Sequence, residues 1–311
     1  MENITLNNGE VKATLNTRVG LESLIVKGEE RIFQNENRIW PNIKRKPNSP
    51  SIHSDPVLFP ITGPLKKAKY VFGKEYMVEG GYLYNGKFYL ENDPVYLFNG
   101  ESYSMPQHGF VRDSAMELVD FTSYECTFLK KSNSETLKQY PFHFEYYLTY
   151  KLTEDGLSKK QTVVNMGPDE MYFSLGDHTA LALEGGIDSH TIMFDEDVRF
   201  NSEEPISFSF AKNQEIPLGH FIRDRKTLVA ENSSVNNIKF FREGIEKISY
   251  DVSAPVLLLW TADREKFICA EPWIGAPRAL NSINESLKNG TLIKLSPEDD
   301  GFVKERKIVF R

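Results

Sequence analysis

Residues 143–164 read HFEYYLTYKLTEDGLSKKQTVV, and this stretch is the strongest indication of the fold. Its two arms, 143–152 and 158–164, are rich in Tyr, Phe, Thr and Val, which is typical of β-strands. The Glu154-Asp155-Gly156 segment between the arms contains the Asp-Gly pair that tight hairpin turns favour, because glycine tolerates a positive φ. The pattern therefore predicts a long β-hairpin.

The same kind of pattern continues outward from the hairpin in both directions. Short runs of β-branched and aromatic residues predict strands at 122–129, 142–152, 161–164, 238–241, 247–252 and 256–260. Turn signals separate such runs at 7–9 (NNG), 84–86 (YNG), 166–169 (MGPD) and 289–290 (NG). One short helix is predicted over 132–140, with Asn133 or Ser134 as its cap and Pro141 as its stop.

No repeat, low-complexity tract or long Pro/Ser/Gly linker divides the 311 residues. A chain of this length can bury a full hydrophobic core. We therefore expect an all-β protein, a large antiparallel β-sandwich with few short helices, in a single domain that spans residues 1–311.

The composition limits the partners that the chain can have. A formal net charge of −7 argues against nucleic acid and anionic membrane, which both require a basic surface. Cys126 and Cys269 are the two cysteines, far apart and outside any C-x-x-C motif, so we expect neither a disulfide nor a zinc cluster. The start of the chain has no secretory pattern, and no window approaches 18 apolar residues. These features favour a cytoplasmic location.

Two of the polar interruptions in the apolar pattern carry a histidine. In residues 105–113 (MPQHGFVRD), Gly109 removes the Cβ that would prevent close backbone approach, so we expect His108 to be directed at a site. In residues 173–181 (FSLGDHTAL), Asp177 and His178 interrupt an apolar run beside Gly176. A lone histidine in a strand is more often a core residue than a catalytic one, so neither motif is decisive by itself.

The third interruption is residues 267–275 (FICAEPWIG), where Glu271 ends an apolar run between Trp260 and Trp273. Aromatic faces are suitable for stacking on sugar rings, and a partly desolvated carboxylate is a common general base near neutral pH. A Glu before Pro can also merely end a strand. Taken singly, none of the three motifs is decisive.

Other kinds of site fit the sequence poorly. His108, His178 and Glu271 are separated by 70 and 93 positions, so no two of them share a strand or turn, as ligands of metal-binding β folds usually do. We expect no metal. A Gly-x-Ser-x-Gly elbow and a Gly-rich phosphate loop are missing from the sequence, and Cys269 reads as a small core residue.

In their order along the chain, residues 107–112 (QHGFVR), 176–180 (GDHTA) and 269–273 (CAEPW) resemble the aldose 1-epimerase (galactose mutarotase) superfamily, most closely its LacX-like branch. Residues 56–61 (PVLFPI) resemble the first strand motif of that branch, and 140–142 (YPF) resemble the motif before its long hairpin. The similarity extends from about residue 10 to residue 280. It implies a β-sandwich of the galactose mutarotase type, a supersandwich, which works without a cofactor and holds an aldose.

The resemblance also implies roles for individual residues. Glu271 resembles the base that takes the proton of the anomeric hydroxyl, and His178 resembles the acid that protonates the ring oxygen. His108 resembles the second, sugar-binding histidine. We expect burial to raise the pKa of Glu271 and a protonated histidine nearby to lower it again. Asp177 and Trp273, beside these groups in sequence, are the further candidate sugar contacts.

Two positions leave the substrate open. The branch usually has an arginine after its first strand motif, where this chain has Pro64, and Lys66 or Lys67 is the expected replacement. Gln107 and Arg112 resemble substrate-binding residues of the hexose-6-phosphate epimerases, which are a related branch. The sequence thus predicts a mutarotase for a hexose or hexose derivative, acting as a monomer or homodimer. The alternatives are a hexose-6-phosphate 1-epimerase and a non-catalytic carbohydrate-binding or sensing protein.

Overall fold

The computed structural model describes residues 3–17, 20–34, 55–63, 76–78, 81–84, 87–90, 95–99, 101–202, 206–224, 226–275 and 292–311. Over these ranges the chain forms strands that pair in the antiparallel sense. None of the helices in these ranges has the length and apolar character needed to cross a membrane.

The strands of the first half of the chain are β1 (Asn3–Asn7), β2 (Val11–Asn16), β3 (Gly20–Val26), β4 (Glu29–Glu30), β5 (Val57–Leu58), β6 (Tyr76–Val78), β7 (Gly81–Tyr84), β8 (Lys87–Leu90), β9 (Val95–Phe98), β10 (Glu101–Ser104), β11 (Glu117–Phe121), β12 (Glu125–Lys131), β13 (Phe144–Leu152) and β14 (Gly156–Asn165). Those of the second half are β15 (Met171–Phe173), β16 (Leu175–Asp177), β17 (Thr179–Ala182), β18 (Thr191–Phe194), β19 (Val198–Ser202), β20 (Ser207–Phe210), β21 (Glu215–Pro217), β22 (Leu228–Glu231), β23 (Asn237–Arg242), β24 (Ile245–Asp251), β25 (Val256–Trp260), β26 (Phe267–Ile274), β27 (Ile293–Leu295) and β28 (Phe302–Phe310). The helical segments are α1 (Ser134–Leu137) and the 3₁₀ turns Val111–Asp113, Ile187–Ser189 and Leu218–His220.

The predicted hairpin is formed by β13 and β14, which pair along their length with Leu152 opposite Leu157. The backbone N–H of Thr153 donates to the carbonyl of Gly156 at 3.0 Å and closes the turn. The second arm begins at residue 156, two residues before the predicted start. Local chemistry therefore predicted this hairpin correctly.

The other predicted strands and the predicted helix are confirmed, and most of their boundaries are shifted. The strand predicted at 122–129 begins at Glu125, because the hydroxyl of Thr122 accepts the Glu125 backbone N–H at 3.0 Å and holds a turn there. The predicted helix is reduced to one turn, with the Asn133 side chain accepting the N–H groups of its first turn in a capping box. The predicted turn residues 85–86 and 289–290 lie outside the described residues.

Two large sheets face each other across the hydrophobic core. One has nine strands in the order β11-β12-β13-β14-β28-β24-β23-β18-β21, and the other has eight in the order β20-β19-β22-β25-β26-β16-β5, with β17 also paired to β26. Phe59, which follows β5 of the second sheet, stacks on Tyr146 of β13 in the first at a ring distance of 4.9 Å. The predicted all-β sandwich is confirmed.

Strand β26 determines which side chains share a face of the eight-stranded sheet. Gly176 pairs with Trp273 and Thr179 with Ala270, so the same register places His178 opposite Glu271. Because side chains alternate between the two faces of a strand, those of His178, Glu271 and Trp273 lie on one face. The intervening side chains, such as that of Asp177, point to the other face, which lies against the core of the sandwich.

Candidate active site

A histidine and a glutamate meet directly on this face of the sheet. Nε2 of His178 lies 3.3 Å from Oε1 of Glu271, and their side chains are 14% and 4% exposed. The cross-strand register of β26 with β16 and β17 fixes this distance, although the two residues are far apart in sequence. The site therefore contains the two predicted catalytic groups in contact with each other.

His108 approaches this pair from the loop after β10, through a backbone that few residues can adopt. His108 and Gly109 both have positive φ, at 66° and 72°. A Cβ on Gly109 would lie 2.2 Å from the carbonyl oxygen of Phe59, so the loop can pass there only with glycine. The predicted role of Gly109 in a close backbone approach is confirmed.

Backbone hydrogen bonds hold His108 in one orientation. Its N–H donates to the Gly63 carbonyl at 2.9 Å, and the Gly63 N–H donates to its Nδ1 at 3.0 Å. Since Nδ1 is an acceptor, the neutral ring carries its hydrogen on Nε2. The Gln107 side-chain amide lies 3.0 Å from that nitrogen, so its oxygen must face the ring. The ring is edge-on to His178, at 5.5 Å between centroids.

Two tryptophans form the aromatic walls of the site. Trp273 packs over Gly63 and Gly176, where an added Cβ would lie 3.1 Å and 2.8 Å from the indole. Its ring centroid is 5.7 Å from that of His108, and the Trp260 centroid is 5.8 Å from that of His178. Gly63 and Gly176 thus leave room for the flat hydrophobic surface of Trp273 beside the acid–base pair.

The two central groups have strongly displaced pKa values. Burial raises the pKa of Glu271 to about 8, although the Trp273 indole N–H and the Arg112 charge oppose this shift. Of these two opposing effects on the pKa of Glu271, that of the indole N–H is the larger, and burial outweighs both. Burial, together with the positive charge of Arg112, lowers the pKa of His178 to about 3.

These directions correct one expectation from the sequence. The predicted rise in the pKa of Glu271 agrees with the structure, but the expectation of a protonated histidine that lowers it again is wrong. His178 is desolvated and lies close to a permanent cation, so it is neutral at pH 7. The positive charge that acts on Glu271 belongs to Arg112.

The pair therefore holds one proton at neutral pH, and that proton resides on the carboxyl group. A neutral pair of carboxylic acid and imidazole contains the same number of protons as a carboxylate and an imidazolium. The 3.3 Å contact allows the proton to move from Glu271 to His178 without exchange with solvent. The pair can thus supply one base and one acid with no change in net charge.

Arg112 lies in the 3₁₀ turn Val111–Asp113, with a side chain that is only 10% exposed. Its Nε is 3.9 Å from the carboxylate of Asp113, which is at the limit of an ion pair. Its charge lowers the pKa of Glu271, His178 and also His108. The guanidinium thus acts electrostatically on the whole site.

Asp177 is not part of this site, in contrast to its predicted role in sugar binding. Its carboxylate lies in the core, 2.7 Å from Nζ of Lys159 and 2.7 Å from Nη1 of Arg306. The Gln161 amide donates to it at 2.9 Å. The cause is strand alternation, since His178 faces the site and its neighbour must face the opposite way.

A buried ionic network lies behind the site, and the sequence analysis missed it. Besides the contacts of Asp177, Nζ of Lys159 is 2.6 Å from Asp55, and Tyr150 donates to Asp55 at 3.0 Å. The two acids and two bases are all at most 5% exposed and balance in charge. The sequence did contain a signal for this network. The alternation of side chains along the predicted hairpin arm places the charged side chain of Lys159 on the side that faces the core.

The remaining predicted residue, Lys66, lies outside the described residues, as does Lys67. Within the part of the chain that the structure describes, no three or more His, Cys, Asp or Glu side chains are grouped so as to hold a metal ion. Both cysteines are free thiols in the core.

A family model, aldose 1-epimerase, matches residues 80–289 of the chain. Among relatives, the chromosomal protein LacX of Lactococcus lactis subsp. lactis is 25% identical in an alignment of 265 residues that covers 78% of each chain. This relative agrees with the LacX-like branch that the sequence motifs indicated.

Solved structures show the same fold. A galactose mutarotase related enzyme from Lactobacillus acidophilus superposes with a TM-score of 0.77 at 22% identity, covering 100% of this chain and 97% of that one. A galactose mutarotase-like protein from Lactobacillus casei gives 0.75 at 24% identity, covering 99% of both chains. The predicted sandwich of the galactose mutarotase type is thereby confirmed.

Proposed function

Because this chain belongs to the aldose 1-epimerase family, we propose that it is a mutarotase that interconverts the α and β anomers of a hexose or a hexose derivative. The observation that carries the proposal is the direct contact of His178 with Glu271 at 3.3 Å on an aromatic-walled face of the sheet. The pair provides the acid and the base that ring opening requires, and Trp260 and Trp273 provide surfaces for the sugar.

The reaction begins with the transfer of the resident proton from Glu271 to His178. The carboxylate then accepts the proton of the anomeric hydroxyl, while the imidazolium donates its proton to the ring oxygen. The bond between the anomeric carbon and the ring oxygen breaks, which leaves an open-chain aldehyde. Rotation of the aldehyde followed by the reverse proton transfers closes the ring on the opposite face, so protons balance over the cycle.

His108 and Gln107 are the proposed binding groups for the sugar hydroxyls. The Gly63 N–H occupies Nδ1 of His108 and fixes the hydrogen on Nε2, and this hydrogen is donated to the Gln107 side-chain oxygen, so His108 orients the Gln107 amide. The side-chain oxygen of Gln107 faces Nε2 of His108, and the NH₂ group of the same amide remains as a donor for a sugar hydroxyl. These two residues bind and orient, whereas the proton transfers belong to the Glu271–His178 pair.

Replacing Glu271 by Gln tests the assignment of the base. The variant keeps the shape of the side chain but cannot accept the proton, so anomer exchange should slow by roughly 10²- to 10⁴-fold. The rate is measured by saturation-transfer NMR on a panel of free and 6-phosphorylated aldoses. Glu154→Gln, at an exposed hairpin turn, is the matched control and should retain the wild-type rate.

Two results would contradict the proposal. If Glu271→Gln exchanged every substrate at the wild-type rate, another group would be the base. If the wild-type chain bound sugars in calorimetry without accelerating exchange, it would be a carbohydrate-binding or sensing protein on this fold.

One observation favours a phosphorylated substrate as a second candidate. The Arg112 guanidinium is largely buried, and its positive charge acts on Glu271, His178 and His108. A hexose 6-phosphate could use this charge through bidentate hydrogen bonds. If so, Arg112→Gln should reduce kcat/KM for the 6-phosphate far more than for the free sugar, and Arg112→Lys should recover only part of the loss. Equal losses on both substrates would exclude this role.

A further inference from the structure

A cavity of about 190 Å³ lies at the opposite end of β17 from His178. It shares no residue with the acid–base site. Ala182 at the end of β17 lines it, four residues after His178, which is about 13 Å along an extended strand. The cavity is therefore separate from the acid–base site.

The lining of the cavity is strongly cationic, although the chain as a whole has a net charge of −7. Five cationic side chains line it, against two carboxylates, those of Glu29 and Glu184. The cationic residues are Lys27, Arg31, Arg242, Lys247 and Arg311. Such a concentration of like charge favours an anion as the occupant.

Arg311 is paired with two acids outside the lining, Asp155 at 3.3 Å and Glu246 at 3.5 Å, but the two carboxylates of the lining neutralise the other four cations only weakly. Glu29 lies 2.7 Å from Arg31, and Glu184 lies 2.5 Å from Arg242, but their side chains are 62% and 81% exposed. Ion pairs of such exposed groups contribute little to stability, because solvent screens them, so a better acceptor can displace them. The carboxylates thus occupy the positions that the oxygens of a bound anion would take.

Other donors of the cavity have no acceptor. Lys27 and Lys247 form no ion pair with any acid among the described residues. Arg31 is held over the ring of Phe310 at 5.7 Å, and its buried Nε has no hydrogen-bond partner. A buried N–H without an acceptor is costly, so an oxyanion would relieve an existing penalty.

From this geometry we propose that the cavity is a binding site for a small oxyanion, either inorganic phosphate or the phosphoryl group of a small monoester. The cavity is smaller than the roughly 300–1,000 Å³ of pockets for drug-sized ligands, which favours a small anion over a nucleotide. Two arginines provide the planar donor pairs that match phosphate oxygens, and two lysines add charge. This site is independent of the proposed mutarotase activity.

The test is a titration of the full-length protein with sodium phosphate, followed by calorimetry and by thermal unfolding. Sodium chloride of equal ionic strength corrects for screening. Phosphate should bind with one saturable site and raise the Tm, since a ligand of the native state stabilises it by mass action. A parallel titration with glycerol phosphate, which has no aldose ring, separates a site for free phosphate from one for phosphomonoesters.

Variants locate the site and separate it from the sugar pocket. Lys247→Gln should weaken phosphate binding by about tenfold or more, because a charge-assisted hydrogen bond is lost. Glu29→Gln with Glu184→Gln should strengthen it, since the competing carboxylates are removed. Lys138→Gln, at an exposed position just after α1, is the control for the loss of one charge and should bind as the wild type does.

Three outcomes would overturn the proposal. One is that phosphate stabilises no more than chloride does. Another is that Lys247→Gln binds as tightly as the wild type. The third is that Arg112→Gln, and not Lys247→Gln, abolishes binding, which would place the anion in the sugar pocket. None of these results bears on the exchange activity of Glu271, so the two proposals fail separately.

Discussion

At the scale of single residues, the contact between Glu271 and His178 determines what the site can do. Burial shifts the two groups in opposite directions, with the pKa of the carboxyl raised to about 8 and that of the imidazole lowered to about 3. Between about pH 3 and about pH 8 the two groups therefore hold a single titratable proton. The chemistry needs this singly protonated state in both directions of the reaction.

The first prediction concerns the pH profile of kcat/KM. The single proton is lost above about pH 8, and a second is gained only near pH 3. The profile should therefore be flat between about pH 5 and about pH 7 and fall above about pH 8. Saturation-transfer NMR over this range measures it. An acid–base pair with ordinary pKa values would lose activity near pH 6.5, where a free histidine titrates, and such a limb would contradict the shifts.

The second prediction concerns the stability cost of Glu271. Its folded pKa of about 8 is above its ordinary value of 4.5, so the folded state holds the proton more tightly than the unfolded state. Stability from this group is thus fully present below about pH 4.5 and is lost as the pH rises through about 8.

The variant Glu271→Gln removes this loss, because the amide has no charge to desolvate. A tenfold difference in proton affinity between the folded and unfolded states corresponds to about 1.4 kcal/mol, so the variant should be more stable than the wild type by a few kcal/mol at about pH 9 and similar to it at about pH 5. Urea unfolding at the two pH values measures the difference. A variant that is equally destabilised at both would show that Glu271 is ionised in the fold.

At the scale of elements, strand alternation gives β16 and β17 two separate functions. One side of this segment presents His178 to the site, and the other presents Asp177 and Thr179 to the buried network. Lys159 and Arg306 outweigh the cost of burying Asp177 and lower its pKa. Arg306 is 2% exposed, and its Nε and Nη2 have no acceptor, so the carboxylate of Asp177 is the group that compensates its positive charge.

The third prediction concerns the charge balance of this network. Asp177→Asn leaves one uncompensated positive charge in the core and should cost about 3–5 kcal/mol of unfolding free energy. Adding Arg306→Met restores neutrality around Lys159 and Asp55, so the double variant should lose less than the sum of the two single losses. Urea unfolding of the wild type, the two single variants and the double variant gives the four free energies of this double-mutant cycle. Strictly additive losses would contradict a coupled network.

At the scale of the whole molecule, one sheet has two different faces. Its inner face packs against the nine-stranded sheet, and its other face collects residues from distant parts of the chain, including Gly63, His108, His178 and Glu271. Two of the three tryptophans of the sequence lie on that face, Trp260 and Trp273. The third, Trp40, lies outside the described residues.

The fourth prediction uses this distribution. A sugar stacked on the site should change the emission of Trp260 and Trp273. The Trp40→Phe variant should keep the fluorescence change that sugar produces in the wild type, and Trp273→Phe in the same background should lose most of it. A signal that disappears with Trp40 alone would contradict the proposed stacking of the sugar on Trp260 and Trp273. The tryptophan fluorescence of each variant is measured during titration with the substrates that exchange NMR identifies.

Much of the fold follows from local chemistry that the sequence displays. The β13–β14 hairpin depends on residues that are neighbours in the chain, and the Asp155-Gly156 pair and the Asn133 cap act within a few positions. For the same reason Gly109 could be interpreted correctly, because the lack of a Cβ is a property of one residue. The direction of the pKa shift of Glu271 also followed from its apolar neighbours.

Local sequence was thus enough to predict the all-β class, the principal hairpin and the motifs that supply Glu271, His178 and His108. The folded chain was needed to establish that His178 lies opposite Glu271, that Asp177 faces the core, and that Arg112 rather than a protonated histidine supplies the positive charge. The reason is physical. Turns and strand propensity depend on adjacent residues, whereas desolvation and Coulomb interactions depend on distances between groups that the sheet register brings together from far along the chain.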